Sequence, residues 1–297
     1  MKRLKTNILI ILGNGFDLDL GLKTSYRDFW NERSAKLTSF RYPLSSTELL
    51  YSRLEEHHKQ MIANNWYDFE EIIRDYASET IERHESPRNA LSRTASYHGH
   101  NLNANIEYFK CLKKEIIDYI SIQQNTPHIC AQSSAASLLR MITRKRLFST
   151  YTCYNFNYTD INVFSKQLGY RSDILVKYIH GNLKDANIIL GVGNDTLVGG
   201  YDFLLKDNQG AKGMSFQEDL LKADEIIIFG LAFGRNDIHY FIDLFKNIQN
   251  GITQPKITIY TYNEQEKRMI RDRLAKYNID LSVIINKTNL KMIPTHE

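Results

Sequence analysis

The architecture of this protein is set near its start by the stretch Ile8-Leu9-Ile10-Ile11-Leu12-Gly13-Asn14-Gly15. Five consecutive apolar residues predict a strand that is buried on both faces, as in a parallel sheet. Gly13 ends the run, and helix-compatible residues follow from Phe16 to Leu22. A strand, a glycine turn and a helix in this order are typical of the first unit of a Rossmann-like α/β fold.

Later runs repeat this texture and predict more of the same sheet. Strand-like segments lie at residues 147–157, 174–180, 188–192, 225–229 and 256–262, and helices are expected from Asp237 to Asn247 and from Glu264 to Tyr277. Strands that alternate with helices indicate a parallel sheet with crossover helices on its faces. We therefore predict a nucleotide-binding α/β domain made of residues 1–30 and 148–297.

The stretch between these two segments has a different periodicity. Apolar residues recur three or four positions apart around residues 49–54 and 69–76, and again at Ile106, Phe109, Leu112 and Ile116. This spacing places them on one face of a helix. Residues 31–147 are therefore predicted to be a large helical insertion or cap.

The composition of the chain narrows its class. Its 297 residues are 42% hydrophobic and 24% charged, with a formal net charge of +4, which suits a globular protein with a small anionic ligand better than a nucleic-acid binder. Cys111, Cys130 and Cys153 are far apart, so no zinc motif is present and no metal is expected. The apolar run at 8–12 is too short for a membrane span, and we expect a cytoplasmic protein.

The first candidate site is the turn Gly13-Asn14-Gly15. Glycines after a buried strand let the backbone approach a phosphate at the start of the next helix. The dinucleotide fingerprint is incomplete, because Leu18 stands where its third glycine would be, and a tight turn without a ligand stays an alternative. Asp17 either caps the helix or binds ribose hydroxyls.

The second candidate site follows the predicted strand at 147–157. Asn157 and Asp160 come at its carboxyl end, the edge at which open α/β sheets bind their ligands. An asparagine amide both donates and accepts hydrogen bonds, so Asn157 is suited to hold a ribose hydroxyl and a water. The alternative is a turn in which these side chains cap the helix that begins near Asp160.

Three more strand ends carry polar residues or glycines. His180 precedes Gly181, and histidine is the usual proton carrier at neutral pH, although a structural role is as common. The turn that begins at Gly230 either lines a diphosphate or only reverses the chain, and Asn263 either reaches a ribose or caps a helix.

The motifs together resemble those of the bacteriophage abortive-infection AbiH family. Its opening is matched by Gly13-Asn14-Gly15-Phe16-Asp17 followed by Gly21-Leu22-Lys23-Thr24-Ser25-Tyr26. Further matches in the same order are Trp66 to Glu70, Asn155 to Asp160, His180-Gly181 and Gly230 to Asp237. The resemblance runs from residue 8 to about residue 241.

That family is in turn distantly similar to sirtuin-like NAD-binding domains, which implies NAD as substrate or ligand. By this resemblance the diphosphate is held by Gly13, Gly15 and Gly230, with Asn14, Asp17, Thr24 and Asp237 in the same binding motifs. Asn157 and Asp160 lie at the nicotinamide ribose, His180 is the base, and Asn263 faces the adenosine ribose. The four-cysteine zinc module of sirtuin deacylases is missing, since no cysteine follows Cys153, so protein deacylation is not expected.

Two functions from different classes follow from the resemblance. One is an anti-phage NAD hydrolase, an N-glycosidase that cleaves the nicotinamide–ribose bond. The alternative is a non-catalytic NAD or ADP-ribose sensor, or an interaction module of a phage-defence system, and whether the protein is an enzyme stays open. The expected partner is a small nucleotide, with a phage-derived trigger and a homo-oligomer left open. Nucleic acid and membrane are not expected partners.

Overall fold

The computed structural model describes residues 5–36, 54, 70, 72–75, 95–126, 128–144, 149–193, 201–209, 214–288 and 290–296. Of the periodic sets predicted around 49–54 and 69–76, residues 54, 70 and 72–75 are described, and of the motif from Trp66 to Glu70 only Glu70 is described. One compact unit consists of Met1–Thr24, Ile120–Asn187 and Lys212–Glu297, and a second of Ser25–Tyr119 and Ile188–Ala211. The domain boundaries proposed from the sequence stay a prediction.

The first unit contains a six-stranded sheet in which every strand pair is parallel. Its strands are β1 Thr6–Leu12, β2 Ser149–Asn155, β3 Val176–Tyr178, β4 Glu225–Phe229, β5 Lys256–Thr261 and β6 Lys291–Pro294. Their order across the sheet is β3-β2-β1-β4-β5-β6. This architecture confirms the predicted Rossmann-like α/β fold.

The helices follow the strands along the chain. They are α1 Asn14–Asp19, α2 Tyr26–Lys36, α3 Ala95–Gln124, α4 Ser134–Thr143, α5 Ile161–Gln167, α6 Met214–Lys222, α7 Ile242–Gln249, α8 Glu264–Ala275 and α9 Leu281–Thr288. Short 3₁₀ turns occur at Asp202–Leu204, Asp207–Gln209 and Ile238–Tyr240. Within the described ranges, no helix combines the length and the apolar composition needed to cross a bilayer.

The central strand β1 is buried on both of its faces. Ile8, Ile10 and Leu12 belong to one hydrophobic cluster with residues of α4 and α5. Leu9 and Ile11 belong to a second cluster, on the opposite face, with residues of α7 and α8. Since successive side chains of a strand point to opposite faces, two covered faces require the uninterrupted apolar run seen in the sequence.

The prediction of a strand at residues 188–192 is wrong. This apolar segment belongs to the second unit and makes only an isolated bridge between Val192 and Leu205. The side chain of Gln209 takes the place of a neighbouring strand, because its amide donates to the Leu190 carbonyl at 2.6 Å and its oxygen accepts from the Leu190 amide at 3.3 Å. Burial of the apolar side chains therefore does not require a sheet here.

The second unit also contains buried charges. Lys206 is buried and pairs with Glu70 at 2.8 Å, and Arg33 of α2 pairs with Glu115 of α3 at 2.6 Å. A buried charge is stable only when it is paired. These ion pairs therefore specify how the segments of this unit pack together.

Candidate functional site

The carboxyl ends of the strands meet at one edge of the sheet, because all strands are parallel. Gly13 follows β1, Asn157 lies two residues beyond β2, His180 two residues beyond β3, and Gly230 follows β4. Asn263 lies two residues beyond β5. The structure thus brings to one edge the strand-end segments that the sequence singled out.

The glycines at the ends of β1 and β4 contact each other directly. The Gly13 amide donates to the Phe229 carbonyl at 2.8 Å, and the Gly15 amide donates to the Gly230 carbonyl at 2.9 Å. A Cβ atom on Gly15 would lie 2.6 Å from the Gly230 Cα, and one on Gly13 would lie 2.6 Å from the Gly230 oxygen. Gly230 also has a φ of +63°, which favours glycine. Contact between two backbone turns therefore accounts for all three glycines.

This contact changes what the turn offers to a ligand. The amides of Gly13 and Gly15 already donate to the turn after β4, so they are not open to a phosphate. Asn14 is exposed, and its Oδ1 accepts a hydrogen bond of 2.8 Å from the Thr24 hydroxyl. The diphosphate role of this turn stays a prediction.

Asp17 lies at the centre of a buried polar cluster beside the turn. Asp17 is only 1% exposed. Its carboxyl oxygens accept hydrogen bonds from the Thr159 hydroxyl at 2.9 Å and from Asn157 Nδ2 at 3.0 Å. Burial raises the pKa of Asp17 to about 7, against the lowering effect of hydrogen bonds from Thr159 and Asn157. This carboxyl group therefore changes protonation near neutral pH.

Asn157 has both of its amide hydrogens in use. Nδ2 donates to the Gly13 carbonyl and to Asp17 Oδ1, each at 3.0 Å. Among the described residues, none donates to its Oδ1. The sequence predicts that Asn157 both donates and accepts hydrogen bonds with a ligand. In the structure its two amide hydrogens are already used, so its side chain can only accept a hydrogen bond from a ligand.

His180 is paired on one ring nitrogen and unpaired on the other. Its Nε2 lies 3.3 Å from Asp237 Oδ1, and the residue is only 6% exposed, with the edge of Phe156 packed against the ring. Nδ1 is itself buried, and within the described part of the chain it has no hydrogen-bond partner. When Nε2–H donates to Asp237, Nδ1 carries a free lone pair and is an acceptor.

The loop that carries Asp237 is held in a strained conformation. Phe233 has a φ of +51° although it is not glycine, which costs about 1–2 kcal/mol. Its buried ring packs on Phe241 at 5.0 Å, and Arg273 of α8 donates to the Ala232 carbonyl at 2.5 Å. These contacts fix the loop between Gly230 and Asp237, and so the position of the His180 partner.

Asp160 and Asn263 both act as helix caps. Asp160 accepts from the Asn162 amide at the start of α5, and Asn263 accepts from the Glu266 amide at the start of α8, each at 2.9 Å. Burial, and after it the charge of Asp160, raise the pKa of Tyr178. The cap that the sequence left open is present in both cases, and their ligand roles stay predictions.

Sequence reasoning missed Asn155 and Thr159. Asn155 Oδ1 accepts a hydrogen bond from the backbone N–H of Asn157 at 2.9 Å, and Asn155 Nδ2 donates to the Thr159 carbonyl at 2.8 Å. These two bonds close the turn after β2. The Thr159 hydroxyl in turn binds Asp17. The signal was the density of polar side chains from Asn155 to Asp160, but their partners are set by long-range contacts.

The cysteines differ in their exposure. Cys111 and Cys130 are exposed, whereas burial raises the pKa of Cys153 to about 12, so this thiol stays protonated. In the described ranges, no three His, Cys, Asp or Glu side chains are grouped as a metal site would require.

Comparison with known proteins adds one finding. A family model described as "Bacteriophage abortive infection AbiH" matches residues 9–260. The match runs from β1 into β5 and includes the polar strand ends described above, except Asn263. A search among curated proteins gives no match.

Proposed function

The chain belongs to the bacteriophage abortive infection AbiH family, and from this premise we propose that it depletes cytoplasmic NAD in infected cells by hydrolysing the nicotinamide–ribose bond. Two hydrogen-bond acceptors support this proposal. They are Asn157 Oδ1 and His180 Nδ1, which lie at the ends of the neighbouring strands β2 and β3.

A pair of acceptors selects a partner that carries donors. The register places Asn155 opposite Tyr178, and the Ile179 amide donates to the Asn155 carbonyl at 3.0 Å. Neighbouring strands lie about 4.8 Å apart, so Asn157 and His180 are within reach of one sugar ring. A ribose hydroxyl can donate to Asn157 Oδ1 while the attacking water donates to His180 Nδ1, whereas a phosphate offers only acceptors at neutral pH. We therefore assign the ribose next to nicotinamide to this part of the edge.

Asp17 holds the Asn157 amide in the orientation that this role requires. Rotating the amide would leave the Gly13 carbonyl and Asp17 Oδ1 facing an oxygen instead of an N–H. An unpaired buried polar group costs about 1–3 kcal/mol. The Asn157 acceptor is thus fixed before a ligand arrives, which is the arrangement that stabilises a developing positive charge on the ribose.

The reaction needs one base and no acid. The bond between ribose C1′ and the nicotinamide nitrogen breaks, and nicotinamide leaves as a neutral molecule because it keeps the bonding electrons. A water oxygen bonds to C1′, and its proton passes to His180 Nδ1, while Asp237 stabilises the charged ring. The products are ADP-ribose, nicotinamide and one proton. The transition state resembles that of glycoside hydrolysis, and a positioned base contributes about 10²–10⁴ in rate.

The test is release of nicotinamide by the purified full chain, followed by chromatography, with and without phage lysate as a source of trigger. We expect His180→Ala to lower the rate about 10²–10⁴-fold. The matched control is His128→Ala, which removes an exposed histidine. Absence of nicotinamide under every condition, or equal rates for the two variants, would contradict the proposal.

A second candidate is a non-catalytic NAD or ADP-ribose sensor or interaction module. It is favoured by the closed state of the glycine turn, whose amides are satisfied inside the protein, and by Asp17, whose oxygens are bound by Thr159 and Asn157. Calorimetry with NAD and ADP-ribose separates the two candidates. Binding of both nucleotides without nicotinamide release favours the sensor.

A further inference from the structure

Two aromatic rings stack at the same edge of the sheet, outside the cluster around Asp17. Tyr262 follows β5 and His296 follows β6, and their ring centroids are 4.5 Å apart with 30° between the planes. Tyr262 is 53% exposed. A single exposed tyrosine is ordinary, but here two exposed rings are in contact, and exposed aromatic rings are surfaces on which a further ring can stack.

The backbone holds this pair in place. The His296 amide donates to the Tyr262 carbonyl at 2.8 Å, and the Thr295 amide donates to the Thr261 carbonyl at 2.9 Å. Tyr262 is also fixed from its other side, since its amide donates to Glu266 Oε2 at 2.7 Å. These bonds fix the backbone that carries both rings, which limits the conformational entropy that is lost when a third ring stacks on them.

The rings lie beside the turn after β4. The Gly230 amide donates to the Tyr260 carbonyl, which places Tyr262 about one strand spacing, roughly 4.8 Å, from this turn. Four spacings, about 19 Å, separate β3 from β5 along the edge. That span is on the scale of a dinucleotide lying across the strand ends, with one ribose at His180.

We propose that Tyr262 and His296 form a stacking platform for the adenine base of the nucleotide. This inference rests on the proposed function, which places the nicotinamide ribose at Asn157 and His180. Adenine has a wide π face and stacks on aromatic side chains whatever its edge contacts are. The platform recognises a flat base, whereas the opposite end of the site recognises sugar hydroxyls.

The test is calorimetry on the full chain with NAD, AMP and nicotinamide mononucleotide, which lacks adenine. We expect Tyr262→Ala to weaken binding of NAD and AMP about five- to a hundredfold and to leave nicotinamide mononucleotide unchanged. The matched control is Tyr262→Phe, which keeps the ring and should bind as the wild type does. His296→Ala should show a smaller loss with the same selectivity.

The outcomes separate this inference from the proposed function. If the wild type binds NAD and Tyr262→Ala binds it equally well, the platform is wrong and the proposed function stands. Equal weakening of all three ligands would also overturn the platform, because the base would not be what Tyr262 reads. If the wild type neither binds a nucleotide nor releases nicotinamide, both are overturned.

Discussion

Two regions share one edge of the sheet, the glycine turns after β1 and β4 and the polar ends of β2 and β3. They differ in which hydrogen-bonding groups stay unpaired inside the protein. At the glycine turns, backbone meets backbone, and the amides of Gly13 and Gly15 are consumed inside the protein. At the neighbouring ends, Asn157 and His180 are fixed by partners and keep one acceptor each. Gly13, Gly15 and Gly230 serve packing, and the chemistry is expected next to them.

The largest expected effect is on stability, and it tests the contact between the glycine turns after β1 and β4. Gly230→Ala places a Cβ about 2.4 Å from the Gly15 backbone at a φ of +63°. Overpacking and the left-handed conformation together should lower the free energy of unfolding by up to about 5 kcal/mol. Chemical denaturation of the purified chain measures this loss.

Gly169→Ala is the matched control for that experiment. Gly169 has a φ of +74°, and a Cβ added there would have no atom within 4 Å, so only the backbone strain should appear, at about 1 kcal/mol. Equal losses for the two variants would mean that the contact between the β1 and β4 turns is not what requires glycine.

The next effect concerns the polar half and its dependence on pH. The folded pKa of Asp17, about 7, lies above its ordinary value of 3.8, so this group favours folding fully below pH 3.8 and loses that contribution as pH rises to about 7. Asp17→Asn mimics the protonated form. We expect the free energy of unfolding of this variant to rise relative to that of the wild type by up to about 4 kcal/mol over this pH interval.

Denaturation of both proteins between pH 4 and pH 8 measures the difference. Comparing the two curves removes the titration of the other carboxylates, which both proteins share. A difference that stays constant with pH would show that Asp17 is ionised throughout. The buried cluster would then carry a fixed charge at this edge.

The smallest effect tests a strand end where the structure shows only a cap. Asn263→Ala removes the acceptor for the Glu266 amide and should cost about 1 kcal/mol, whereas Asn263→Ser retains a capping oxygen and should cost less. Thermal denaturation measures both. Calorimetry with AMP on the same variants then shows whether Asn263 also contacts a ribose, since a cap alone leaves nucleotide affinity unchanged.

Much of the fold follows from local sequence. The strands β1 and β4 are uninterrupted apolar runs that end at glycine, because both of their faces are covered. The strand β6 was not predicted, since its four residues lie at the sheet edge and are mostly exposed, so no pattern marks them. The predicted helix at 237–247 is instead a 3₁₀ turn, Ile238–Tyr240, followed by α7.

The candidate site was predictable only as a set of strand ends. A polar residue after an apolar run marks Asn157 and His180, whatever the rest of the chain does. The partners are a different matter, because Asp17 meets Asn157 across 140 positions, and Gly15 meets Gly230 across 215. Which hydrogen bonds are used, and which acceptors remain, depends on those distant contacts.

The central place of β1 has a consequence for synthesis on the ribosome. This strand emerges first, but its partners β2 and β4 begin only at Ser149 and Glu225. At about 5–20 residues per second, synthesis reaches the neighbouring strand β2 roughly 7–30 seconds after the apolar strand β1 has been made. During that time it is a target for chaperones and for pairing with other nascent chains, so expression at lower temperature or with added chaperones should raise the yield of folded protein.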